Sequence, residues 1–218
     1  MTTVLKSIRE ALGGDVAARR EAVADWVARR TGLHDGPAAV SDENALDRFV
    51  ARARTAACNV EVVSSGQDIA GALSAALNGW GVTRNLVVAG DPLLHGWLEG
   101  ATEFTCRFGS PTTTDPVGVA LPVAAAAETG TLIFQSGSLS PTAVAFLPDC
   151  LIAMLPRSRI FMSYEAALAR LLSQQARGHL PTRIHCVTGP SRTADIEEVL
   201  LLGAHGPRKV CILILDHL

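Results

Sequence analysis

A chain of 218 residues, nearly half of them apolar and with a formal charge of −2, is long enough to bury a sizeable core and too apolar to be disordered. Its charge balance gives no electrostatic drive toward nucleic acid or an anionic membrane surface. Its apolar runs fall short of the roughly 18 residues a membrane span requires, and MTTVLKSIREALGG has no signal-peptide apolar region, so a cytoplasmic protein is expected.

Residues 2 to 31 are helical in pattern. Val4, Ile8 and Leu12 repeat every four, and Val23, Trp26, Val27 and Arg30 continue the rule after a Gly13-Gly14 break. Thr31-Gly32 is a stop, because glycine just past a helix relieves left-handed strain. His34 to Asp42 reads as a linker, and Ser41 or Asp42 can cap a second helix through about Ala57. Residues 1–57 are therefore expected to form an N-terminal helical arm and residues 58–218 an α/β domain.

From Val60 the pattern alternates. Val60 to Val63 reads as a strand, Gln67 to Leu77 as a helix ended by Asn78-Gly79, and Asn85 to Ala89 as a strand buried on both faces in a parallel sheet. Gly90-Asp91-Pro92 turns into a short helix through Leu98. In GVALPVAAAAETGTLIFQ two strand-like runs flank a tight Glu128-Thr129-Gly130 turn. Cys150 to Leu155 is the next buried strand, and Ser163 to Ala176 a helix with Tyr164, Leu168, Leu171 and Leu172 on one stripe. Ile184 to Val187, a helix after Thr193, and Val210 to Leu215 complete a predicted βαβ unit with a right-handed crossover in a parallel sheet. The expected fold class is α/β with a mainly parallel sheet.

Three loops combine glycine with hydrogen-bonding or reactive side chains. In Glu128-Thr129-Gly130-Thr131 the glycine lets the backbone approach a ligand, although a plain hairpin turn with a solvated Glu128 has the same composition. Gly189-Pro190-Ser191-Arg192-Thr193, ahead of the predicted helix, offers amides and donors to an anion. Asp195, Glu197 and Glu198 oppose phosphate there; Thr193 or Asp195 can act as an ordinary cap, and the acids suit hydroxyl, ribose or cationic contacts. In His205-Gly206-Pro207 the glycine reads first as a helix end, and His205 can serve as acid or base near neutral pH. The candidate catalytic residues are Glu128, Asp195 and His205. The candidate ligand contacts are Thr129, Gly130, Thr131, Gly189, Ser191, Arg192, Thr193, Glu197 and Gly206, facing a small-molecule ligand in one cleft.

The five cysteines (58, 106, 150, 186 and 211) show no CxxC spacing. Four lie in or beside apolar runs and read as small buried hydrophobes, so no iron–sulfur cluster is expected on this chain. The histidines show no metal-ligand spacing, and no metal site is expected.

AETGTLIF at 127–134, FLPD at 146–149, and TGPSRTADIE with GAHGP at 188–207 resemble the LUD domain family of bacterial lactate-utilisation systems, over roughly Val60 to Asp216. That resemblance implies a three-layer α/β/α fold like that of ribose-5-phosphate isomerases, CoA transferases and formyltetrahydrofolate cyclo-ligases. It also implies a role in oxidising L-lactate to pyruvate alongside iron–sulfur partner proteins. Relatives often carry His where this chain has Leu151. The competing reading is a stand-alone enzyme of CoA-transferase or cyclo-ligase type, with Glu128 as a carboxylate nucleophile.

Overall fold

A computed structural model describes residues 21, 44–64, 68–137, 142–173, 181–194, 200–202 and 206–216, with the backbone alone at 193–194 and 200–202. The helices expected before residue 41 lie outside the described residues, apart from Glu21, which is helical. By contact the chain falls into two compact units, 1–38 and 39–218, and every strand belongs to the second.

Its main sheet has six strands, β1 (Asn59–Val63), β2 (Asn85–Val88), β3 (Thr105–Phe108), β4 (Val117–Ala120), β7 (Cys150–Pro156) and β12 (Lys209–Leu215), in the order β1-β12-β7-β4-β2-β3. Every pairing is parallel. Strands β4 and β7 are buried at every position, and β12 at every position after Lys209, as runs without polar residues require when both faces are covered.

The helices α1 (Ala45–Thr55), α2 (Ile69–Trp80), α3 (Pro92–Leu98), α4 (Ala143–Phe146) and α5 (Tyr164–Ser173) accompany the strands in a three-layer α/β/α arrangement. Helix α1 is anchored in the core by Phe49 and Ala53, both fully buried. At α3, Asp91 accepts the Leu93 amide at 2.9 Å, with Pro92 in the first turn, where its missing N–H has no use. Helix α2 runs past Asn78-Gly79 and stops at Gly81, which holds the left-handed conformation.

A second sheet has four strands in the order β8-β5-β6-β9: β5 (Ala124–Ala126), β6 (Thr131–Gln135), β8 (Ile160–Phe161) and β9 (Ile184–Val187). Strands β5 and β6 form an antiparallel hairpin, β9 is antiparallel to β6, and β8 runs parallel to β5. The alanine run explains its thinness. Ala124 and Ala126 pack with Ile133 against Ala167 and Leu171 of α5, while Ala125 and Ala127 alternate into the main core. Methyl groups on both faces let a helix and a second layer approach the same short strand.

Several expectations are corrected here. Where a helix was expected, the described residues are strands: β10 (Arg192–Ala194) and β11 (Leu200–Leu202) pair antiparallel in a two-stranded sheet of their own. Strands β9 and β12 belong to different sheets, so they do not form a βαβ unit. The physical reason is the run Val199 to Leu202, four apolar residues in succession, whose periodicity cannot separate a short strand from a buried helical turn. Leu172 is 43% exposed, and α5 buries Ala167 and Leu171 instead. Cys58, Cys150 and Cys211 are buried, but Cys186 is exposed, because β9 sits at the edge of the small sheet. Leu151, at the centre of β7, is fully buried.

Candidate functional site

The turn between β5 and β6 is set by contact with α1. The Gly130 amide donates to the Ala126 carbonyl at 3.0 Å, and Gly130 takes φ +71°. A Cβ there would lie 2.5 Å from the Ala53 nitrogen, so only glycine admits the helix. The turn also continues the pairing with β8, through Ala127 N–H to Phe161 O at 2.7 Å and Glu128 N–H to Met162 O at 3.1 Å.

Glu128 is thereby carried to the start of α5. Its Oε1 accepts the Tyr164 amide at 2.8 Å, and Ser163 Oγ accepts the Ala166 amide at 3.2 Å. One carboxylate oxygen of Glu128 therefore serves a helix N-terminus, where negative charge is favoured.

Thr131 is the one buried polar residue among the described residues, at 0% exposure. Its hydroxyl meets three others: Tyr164 Oη donates to it at 2.8 Å, and it lies 2.8 Å from Thr129 Oγ1 and 2.6 Å from Thr188 Oγ1. A hydroxyl has one proton and two acceptor sites. With Tyr164 donating, Thr131 must donate to one neighbouring threonine and accept from the other. One of the two exposed threonines, Thr129 and Thr188, therefore donates into the cluster, and the other accepts from it and keeps its own proton at the surface.

The exit from β9 is held the same way. Gly189 takes φ +83°, and a Cβ would sit 2.1 Å from the Ala56 carbonyl oxygen. Burial pushes the Cys58 thiol up to about 11, against a smaller opposing pull from the Gly189 amide that bonds to it. Beyond it, the Ser191 amide donates to the Pro207 carbonyl at 2.8 Å. A Cβ on Gly206 would lie 3.4 Å from that of Ser191 and 3.8 Å from the Phe146 ring.

Of the predicted residues, the structure brings Glu128, Thr129, Gly130 and Thr131 together with Gly189 along the end of α1, through Thr188. Ser191 and Gly206 continue the same seam. Arg192 opens β10 with an exposed side chain. Asp195, Glu197 and His205 lie outside the described residues, as does the side chain of Thr193.

Sequence reasoning passed over Thr188 and Tyr164, whose roles depend on a pairing across 57 residues in the first case and 33 in the second. It also passed over His185, which tilts against Phe146 at 4.9 Å and whose buried Nε2 has no partner among the described residues. At the carboxyl edge of the main sheet, Arg159 donates to the Pro122 carbonyl at 2.8 Å, and burial lowers its pKa against the opposing charge of Asp91. Among the described residues no group of three metal-capable side chains occurs, and no helix is long and apolar enough to cross a membrane.

Fold and seam define a three-layer α/β protein whose small second sheet presents a hydroxyl cluster beside a helix-capping carboxylate. Residues 119–215, which hold Glu128 to Thr131, Tyr164, Thr188 and Gly189, match the LUD domain. Lactate utilization protein C of Geobacillus sp. (strain WCH70) is 38% identical over 99 residues, covering 45% of this chain and 41% of that relative. Its counterpart in Shouchella clausii (strain KSM-K16) is 34% identical over 100 residues, 46% of this chain and 44% of the relative. Lactate utilization protein C 1 of Bacillus mycoides (strain KBAB4) is 30% identical over 140 residues, 64% of this chain and 58% of the relative. The match thus spans less than half the length of the first two relatives. The crystal structure of a DUF162 family protein from Deinococcus radiodurans superposes with a TM-score of 0.59 at 19% identity, over 81% of this chain and 99% of that one, and establishes the shared fold.

Proposed function

We propose that this chain is the subunit without an iron–sulfur cluster in a cytoplasmic system that oxidises L-lactate to pyruvate together with iron–sulfur partner proteins. The observation that carries the reading is the match of residues 119–215 to the LUD domain and to relatives named lactate utilization protein C. The chemistry of the seam supports it. A 2-hydroxy acid offers a hydroxyl and a carboxylate, and the exposed hydroxyls of Thr129 and Thr188, fixed from below by Thr131, are matched to both.

Oxidation of the alcohol removes two protons and two electrons. The O–H and Cα–H bonds both break: His205 and Asp195 take the two protons, Thr193, Glu197 and Ser191 contact the substrate, and the two electrons leave for the clusters of the iron–sulfur partner proteins. Glu128 orients the start of α5 and through it Tyr164. Its engagement with the Tyr164 amide favours this assignment over a carboxylate nucleophile of CoA-transferase type.

The test is deletion of the gene in its host. Growth on L-lactate should fail and return with the wild-type gene, and a tagged chain should copurify with cysteine-rich iron–sulfur proteins. Unimpaired growth on L-lactate as sole carbon source would end this reading.

A further inference from the structure

The amino edge of the main sheet carries a groove of about 300 Å3. Asn59 opens β1 there, Lys209 opens β12, and Trp80 closes α2. Ala57, with φ +64°, turns the chain from α1 into β1 along one wall. Arg192, the first residue of β10, and Arg208, just before β12, complete the lining.

Three cations therefore surround one small groove in a chain whose net charge is −2. Among the described residues their internal compensation is slight. Lys209 Nζ donates to the Trp80 carbonyl at 3.0 Å, which satisfies a helix end and leaves the charge in place. Arg208 Nε lies 3.4 Å from Asp149, but the two side chains are 58% and 67% exposed, and such a pair is worth little. Arg192 is exposed. Concentrated positive charge with low-dielectric walls focuses the local field and raises the concentration of anions.

We infer that this groove binds a small phosphate-bearing anion, its oxygens shared among the Arg192 and Arg208 guanidinium groups and the Lys209 ammonium. A guanidinium presents a planar fork that matches two phosphate oxygens, and a lysine adds a point charge. A monocarboxylate such as lactate would leave two of the three cations uncompensated, so the occupant is multiply charged. The volume is at the small end of ligand sites, which run from about 300 to 1,000 Å3, and suits a pyrophosphate or the phosphate end of a nucleotide. The site does not depend on the lactate reading: it lies at the strand starts, and Thr129, Thr131 and Thr188 are absent from its lining.

The experiment is calorimetric titration of the full chain with pyrophosphate at about 0.15 M salt. One-to-one binding is expected, weakened at least about tenfold in Arg192→Gln/Arg208→Gln and largely kept in Arg208→Lys. Both side chains are exposed, so the unfolding midpoints of these variants should match the parent. L-lactate should not displace the pyrophosphate. Absence of saturable binding, equal affinity in the double variant, or displacement by lactate at equal concentration would each overturn the assignment.

Discussion

The main sheet and the small sheet hold together by different means. In the main sheet, β7 and β12 interlock as long runs of large aliphatic side chains, and any one contact is a small part of the whole. In the small sheet the strands are short, the packing side chains are mostly methyl groups, and two turns lie directly on the backbone of α1. The lesson is that the large sheet is forgiving at single positions, whereas the seam depends on a few irreplaceable atoms.

The largest effect should come from the two seam glycines. Gly189→Ala and Gly130→Ala place a Cβ 2.1 and 2.5 Å from α1 backbone atoms at left-handed φ, so each should cost at least about 3 kcal/mol in denaturant unfolding. Gly96→Ala, in a helix with nothing within 4 Å, should be neutral or stabilising by up to ~1 kcal/mol. Equal effects at the three positions would erase the contrast.

The main sheet should show its weakness at high pH. Burial pushes the Cys58 thiol up to about 11 and Cys211 up to about 12. A folded-state pKa above the unfolded value of about 8.5 means that the neutral thiol is favoured by folding. That stability is complete below the unfolded pKa and is lost as pH rises through 11 and 12. The unfolding midpoint should therefore fall steeply in alkali, and Cys211→Ala should flatten the slope; an unchanged slope would contradict the burial argument.

A smaller effect is expected at Glu128. Glu128→Ala removes the acceptor for the Tyr164 amide and should cost about 1 kcal/mol, while Glu128→Gln keeps an acceptor oxygen and should cost less. Lactate utilisation should persist in the Gln variant, where a nucleophile would be abolished.

The same contrast governs how much of the molecule was legible in the sequence. Continuous six-residue apolar runs such as Cys150 to Leu155 and Val210 to Leu215 fit strands buried on both faces, and they were found where the pattern put them. Strand β3, TCRF, has no apolar run to mark it, because it lies at the sheet edge with mostly exposed side chains. The segment after Gly189 misled because Asp195, Glu197 and Glu198 imitate a capped helix start, while an apolar run such as Leu200 to Leu202 serves a strand equally well. Three glycine loops were legible as candidates from composition. The meeting of the first two through Thr131 and Thr188 was not, since it follows from the antiparallel pairing of β6 with β9.

The central claim is that the exposed hydroxyls held by Thr131 face the substrate. The most direct measurement is lactate-dependent growth and unfolding midpoint together for Thr188→Val. Thr131 keeps Tyr164 and Thr129 as partners in that variant, so stability should fall by no more than about 1 kcal/mol. Lactate oxidation by the assembled system should fall at least about tenfold, equivalent to ~1.4 kcal/mol of lost transition-state stabilisation. Normal lactate oxidation with a lowered midpoint would make the threonine cluster a device of folding alone and contradict the account.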